Sequence, residues 1–339
     1  MVSSILCFLW SFLISVFAIP SIINVAHRKQ LLDEPNLRTV HMSLTPRLGG
    51  VAIFAGFTSA LTIFGDFDRE IQQIIAGCII LFFIGLKDDI ITLSTFKKFF
   101  VQVLAAGIVV FIGDIRITNF HGFLGWHEVP FGISYAFTFF IIIGITNAVN
   151  LIDGLDGLAG SVTVTICLIF CSFFYFQPIA NSMFYANLAL ALAGGVVGFL
   201  RYNIHKAIIF MGDTGSLVCG FLISIFAIKF IEFGYVPSGP AVSVSVLIIP
   251  VVDTLRVFIV RILKGQSPFS PDKNHIHHVL KAAGLQSIYI VLILVAVNIA
   301  VFALIFSLSF LDINIIMAIL TFVSVIFCLV LEWVKKSYS

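Results

Sequence analysis

Apolar runs separated by short polar turns organise the whole chain. A helix that crosses a bilayer core needs about 20 mostly apolar residues. Runs of this kind fall at roughly 3–25, 48–65, 70–87, 98–113, 131–150, 157–177, 182–200, 214–234, 240–262, 287–310 and 314–334. They predict an all-α, polytopic integral membrane protein with about eleven transmembrane helices. No polar stretch is long enough to fold separately, so residues 1–339 are expected to form a single domain. The first run meets a basic residue, Arg28, only after it ends, which fits a retained helix rather than a cleaved signal.

Composition agrees with that pattern. The chain is 60% hydrophobic and only 11% charged, where a soluble domain carries about 25% charged residues. So few charges cannot cover a globular surface, and so much apolar content excludes disorder. Lys and Arg number 19 and Asp and Glu 17, so no bulk charge draws nucleic acid. The six cysteines lie within apolar runs without metal spacing and read as small hydrophobes. Cytoplasmic loops of membrane proteins are enriched in Lys and Arg. With the N-terminus placed outside, the inner side collects basic residues from Arg28 and Lys29 to Lys335 and Lys336. The outer side keeps only Arg69, Arg116 and Lys229, so the C-terminus is expected in the cytoplasm.

Polar residues with chemical potential cluster on that inner side. Asp88 and Asp89 end the third run. Adjacent carboxylates repel unless a cation or proton relieves them, so the pair is either a solvated helix end or a metal ligand beside a general base. Asn147, Asn150 and Asp153 recur at steps of three and share a helix face. Asparagines in a membrane helix are costly unless hydrogen-bonded. Gly154 and Gly157 break the helix around Asp156 and let backbone approach a ligand. The plainer reading has the asparagines bonding neighbouring helices and the aspartates capping the next one.

Phe210-Met211-Gly212-Asp213-Thr214-Gly215-Ser216 opens the eighth run, where a helix N-terminus suits an anion. Asp213 or Thr214 serves equally well there as a simple N-cap. The loop from Ser267 holds His275, His277 and His278. Such imidazoles serve either a zinc ion, although no thiol accompanies them, or hydrogen bonds to phosphate and sugar oxygens, unless the loop is merely solvated. The first inner loop carries Asp33, Arg38, His41 and Arg47, residues that also suit topology or lipid head groups. Acids, histidines and asparagines gathered at one face suit Mg²⁺ held between carboxylates and substrate phosphates. Basic residues beside them suit a phosphorylated, nucleotide-like substrate. The residues alone thus lead to Mg²⁺-dependent phosphoryl-type transfer at the cytoplasmic interface. The other class is a secondary transporter, which needs charges near the bilayer midplane. Asp253 and Arg256 lie well inside a run, three residues apart, where local pairing is expected.

The motifs KDD, NAVNLIDGLDGLAG, FMGDTGS, PVVDTLRV and SPFSPDKNHIHH, in this order, resemble the polyprenyl-phosphate N-acetylhexosamine-1-phosphate transferases. HIHH is similar to the form in the undecaprenyl-phosphate GlcNAc-1-phosphate branch. The resemblance implies that undecaprenyl phosphate attacks a UDP-N-acetylhexosamine, most simply UDP-GlcNAc, and releases UMP. UDP-FucNAc and UDP-QuiNAc are donors of close relatives with similar motifs. It further implies Mg²⁺, with Mn²⁺ as substitute, held by Asp213 and Asn150. Asp88, with Asp89 beside it, would activate the lipid phosphate, and Asp153 and Asp156 would belong to the active-site motif. Asn147, Asn150, Lys98, His41, Arg47, His275, His277 and His278 would bind substrate. A bacterial cytoplasmic-membrane location, a cytoplasmic-face active site, cell-envelope glycan synthesis and a homodimer follow as expectations.

Overall fold

The computed structural model describes residues 2–32, 44–65, 68–177, 179, 181–204, 206–267 and 274–337. Each apolar run is helical: α1 (Val2–Lys29), α2 (Gly49–Phe64), α3 (Arg69–Ile90), α4 (Thr95–Gly107), α5 (Phe131–Leu151), α6 (Leu158–Phe176), α7 (Ser182–Asn203), α8 (Gly212–Glu232), α9 (Gly239–Val246), α10 (Ile248–Leu263), α12 (Ser287–Ser307) and α13 (Ile313–Ser337). A short α11 (Ile276–Ala282) carries part of the histidine segment. Among the described residues nine helices are long and apolar enough to cross a membrane, α4 counted with its π-helical end Ile108–Ile112. The chain is a multi-pass membrane protein.

Helix α8 is the hub, packed against α2, α3, α5, α6 and α9 and buried along almost its whole length. Protein surrounds it on every side, so it is apolar all round rather than amphipathic. Small residues let helix backbones approach closely in lipid, where packing rather than exclusion of water holds helices together. Ser4, Cys7, Ser11 and Ser15 of α1 do this in the contact with α2 and α7. Helix α3 begins with Asp68, whose side chain accepts the Ile71 N–H at 2.9 Å, and ends with Lys87 in its last turn. Both choices suit the helix dipole.

Two features depart from the expected pattern. The run at 240–262 is two helices, α9 and α10, joined at Leu247. Pro250 lacks the N–H that would bond the carbonyl of Val246, so a helical bond is missing where the two helices meet. Asn298 of α12 donates its amide to that same carbonyl at 3.2 Å and replaces the lost bond. The second departure is a β-hairpin, β1 (Asn119–Phe123) paired antiparallel with β2 (Trp126–Glu128), in a chain expected to be purely helical. Its turn is held from α13, where Asn314 Oδ1 accepts the Leu124 N–H at 2.7 Å. Strands this short have no readable period, and the contact that steadies them is distant in sequence.

Candidate active site

The C-terminal ends of α3 and α5 and the N-terminal ends of α4 and α8 converge at one end of the bundle. Lys98 of α4 lies between two carboxylates, its Nζ 2.8 Å from Asp213 Oδ2 and 3.2 Å from Asp88 Oδ2. Asp88 Oδ1 also accepts the Leu93 N–H at 2.7 Å, which closes the α3–α4 turn and brings Lys98 inward.

Asp89 points the other way. Its oxygens accept the N–H groups of Asp213 and Thr214 at 2.8 and 2.9 Å and the Thr214 hydroxyl. The anion at the α8 N-terminus is therefore a carboxylate of α3, and neither Asp213 nor Thr214 caps the helix as its N-cap. Gly212 makes this approach feasible. It has φ +71°, and a Cβ there would sit 2.2 Å from the Arg47 carbonyl and 2.5 Å from Asp89 Oδ2. Backbone bonds of 2.8 Å from Phe210 N–H to Pro46 O and from Gly49 N–H to Phe210 O bring Arg47 alongside.

Asn150 donates to Asp213 Oδ1 at 3.1 Å and to Ser216 Oγ at 2.8 Å. Its neighbour on the same face follows the plainer expectation and bonds a neighbouring helix. Asn147 is engaged with Gln102 of α4, donating to Gln102 Oε1 at 2.6 Å, and with the Ile143 carbonyl at 2.8 Å. Gln102 escaped the sequence reading, although a lone amide one turn beyond Lys98 in an apolar helix was its signal. Asp156, expected in the same motif, accepts the Ala207 N–H at 3.3 Å. Asp153, in the turn after α5, sits near Asp213 and Asp89. Burial first, then those two charges, push its carboxyl well above the usual range, against the pull of the Gly212 N–H and Arg47.

Asp88, Asp89, Asp153 and Asp213 thus crowd round Lys98 and Arg47, which drives Asp153 toward its neutral form, and a divalent cation would relieve that crowding. Among the described residues no group of three or more His, Cys, Asp or Glu side chains forms a ready-made metal cage. A Mg²⁺ ion needs only one or two carboxylates when substrate phosphates supply the rest, so the residues fit it.

The histidine segment reaches the same region. His277 is 3% exposed and packs on Gly154, where a Cβ would lie 2.6 Å from His277 Nε2. Neither of its ring nitrogens has a hydrogen-bond partner among the described residues, and the His278 ring is 4.3 Å away. His275 Nδ1 lies 2.9 Å from Asp253 Oδ2. The expected local Asp253–Arg256 pair does not form, because Arg256 reaches Glu332 at 3.0 Å and the Asn274 carbonyl instead. His41, with Asp33, Arg38 and Asp272, lies outside the described residues.

Burial, reinforced by the neighbouring His278, pushes the His277 pKa down to about 3. The folded protein then keeps it neutral, while the unfolded chain takes up a proton below pH of about 6.5. Stability from this site is complete above that pH and declines as pH falls, by about 2 kcal/mol at pH 5. Thermal unfolding in detergent at pH 7.5 and 5 checks this. His277→Gln should lessen the acid destabilisation, and an unchanged pH dependence would contradict it.

Residues 71–231 match glycosyl transferase family 4. The chain is 34% identical over 297 residues to a probable undecaprenyl-phosphate N-acetylglucosaminyl 1-phosphate transferase of Bacillus subtilis (strain 168), covering 84% of this chain and 79% of that protein. The chain belongs to glycosyl transferase family 4. It is also 30% identical over 271 residues to the undecaprenyl-phosphate alpha-N-acetylglucosaminyl 1-phosphate transferase of Yersinia pestis, covering 78% of this chain and 73% of that one. A decaprenyl-phosphate N-acetylglucosaminephosphotransferase of Mycobacterium tuberculosis is 30% identical over 319 residues, covering 83% and 76%. The family 4 match contains Asp88, Lys98, Asn150 and Asp213 but ends before the histidine segment. The contact of His277 with Gly154 therefore joins a residue beyond the family 4 match to one within it.

Proposed function

We propose that this chain transfers N-acetylglucosamine 1-phosphate from UDP-N-acetylglucosamine to undecaprenyl phosphate and releases UMP, as the first membrane step of cell-envelope glycan synthesis. The observation that carries the reading is Lys98 held between Asp88 and Asp213, at 3.2 and 2.8 Å. It supports the reading because two carboxylates and a cation side by side are the groups such a transfer calls for. The names of the relatives above support the group transferred and the polyprenyl-phosphate acceptor.

In this reading a phosphate oxygen of the lipid attacks the β-phosphorus of the sugar nucleotide as the bond to the UMP oxygen breaks. Such a displacement needs positioning and charge neutralisation more than covalent help, so attack is direct. Asp88 takes the proton of a monoprotonated lipid phosphate, and Lys98 neutralises the phosphate oxygens. Asp213 and the amide oxygen of Asn150 would hold Mg²⁺, with Mn²⁺ as substitute. Bound there, the metal supplies charge neutralisation at the diphosphate. Asp89 orients the start of α8 rather than reacting, and Asp153 and Arg47 complete the charge balance. Asn147 acts indirectly, through Gln102, by fixing α4 against α5. Asp156 steadies the α5–α6 turn. His275, His277 and His278 read the donor, with His41 from the first loop.

The same reading places eleven spans in a bacterial inner membrane, α9 and α10 forming one of them. It sets the N-terminus outside and the C-terminus and active site on the cytoplasmic side, in a single domain that pairs as a homodimer. Purified protein in detergent with undecaprenyl phosphate and Mg²⁺ tests the reaction by UMP release across a panel of UDP-sugars. Release with UDP-GlcNAc is the expected result. Release only with a 6-deoxy donor such as UDP-FucNAc or UDP-QuiNAc would change the sugar, and silence with every donor would overturn the transferase reading.

A further inference from the structure

A buried network joins the histidine segment to the last helix of the chain. Asp253 of α10 is 1% exposed, yet it is an acceptor-only carboxylate with two partners. Its Oδ2 lies 2.9 Å from His275 Nδ1, and its Oδ1 accepts the Ile276 N–H at 2.8 Å. An acceptor at that distance requires the hydrogen of His275 on Nδ1 and turns Nε2 away from α10. One turn further along α10, Arg256 is buried as well, and its guanidinium donates to the carbonyl of Asn274, the residue before His275. A buried guanidinium must be paired. Its counter-charge is Glu332 of α13, at 3.0 Å. Lys335, one turn further on, donates to Asn274 Oδ1 at 2.7 Å. Main-chain and side-chain oxygens of Asn274 are thus both held, one directly and one through Arg256, by the end of α13.

Helix α13 has most of its apolar burial at the end away from this network. Of its residues only Ile313, Ile316, Leu320 and Leu331 are buried, and all but Leu331 lie toward the opposite end. The polar contacts of its last turns go to the histidine segment and to Arg256.

We propose that the end of α13 is a positioning element for donor recognition: Glu332 and Lys335, with Arg256 and Asp253 of α10, hold His275 and His277 against the α5–α6 turn. None of these four residues touches the reacting atoms. They act through the histidines, and the inference rests on the transferase reading above. A positioning role predicts a selective effect, because the Asp88–Lys98–Asp213 centre is built from other helices.

The test compares Asp253→Asn and the Glu332→Gln/Lys335→Met double variant with the unaltered protein, using UDP-GlcNAc and undecaprenyl phosphate. Losing an orienting partner typically costs 10- to 100-fold, so KM for UDP-GlcNAc should rise by about tenfold or more, while kcat and KM for the lipid stay within about twofold. Lys335→Arg, which keeps the donor, should behave as the unaltered protein. A fall in kcat and melting temperature with KM for UDP-GlcNAc unchanged would mark a merely structural contact and overturn the proposal. So would variants indistinguishable from an active parent. A parent that releases no UMP would instead overturn the transferase reading, and this inference with it.

Discussion

Replacing Asp213 with alanine lowers UMP release by about 10³-fold or more, the scale of several kcal/mol of lost charge stabilisation, and added Mg²⁺ does not restore it. The structure accounts for both parts of this expectation. Asp213 is where three elements meet: Lys98 of α4 at 2.8 Å, Asn150 of α5 at 3.1 Å, and its own N–H bonded to Asp89 of α3 at 2.8 Å. Alanine retains the backbone bond to Asp89, so the start of α8 stays in place. It removes the carboxylate, which leaves Lys98 with Asp88 alone and Asn150 with Ser216 alone. The measurement is UMP release across a Mg²⁺ titration, beside a melting curve that shows the variant folded. Activity that persists with the parent's metal dependence would exclude Asp213 as the metal carboxylate.

The second large effect is expected at Asp88. Asp88→Asn should lose about 10²- to 10⁴-fold in rate, the range for removal of a general base, while both substrates still bind. Asparagine has the same shape and can still accept the Leu93 N–H, so the α3–α4 turn survives. It cannot take a proton from the lipid phosphate, and an amide N–H₂ turned toward Lys98 meets a donor with a donor. Single-turnover rates and separate binding measurements distinguish the two effects. A near-normal rate would falsify the assignment of Asp88 as base. Asp89→Asn is a different experiment, because both Asp89 oxygens already accept from α8 and its loss acts on position.

The sequence carried much of this site, but unevenly. Asp88, Asn150 and Asp213 are legible as polar groups standing at the edges of apolar runs, whereas Lys98 is one basic residue among many on the inner side and takes a role only from the family resemblance. Gln102 offers only a lone amide in an apolar helix, a signal without the spacing that would name its partner, and Asn147 is open in sequence to either a neighbouring helix or the substrate. Asp253 and Arg256 stand three residues apart, a spacing that suggests a local pair. Both reach into the histidine segment instead, where burial raises the value of a charged partner. Pro250 was visible all along, yet the break beside it was hidden by the unbroken hydropathy of its neighbours.

Residue type and order alone settled the membrane class, the helical runs and the family motifs, because these depend on burial in lipid and on local chemistry that a short window contains. Tertiary structure alone decided which aspartate caps α8, which amide locks α4 to α5, and which charges hold the histidines. Those contacts join residues such as Asp89 and Thr214, or Arg256 and Glu332, that lie far apart along the chain. Their partners are fixed by how whole helices pack, and no local periodicity encodes that packing.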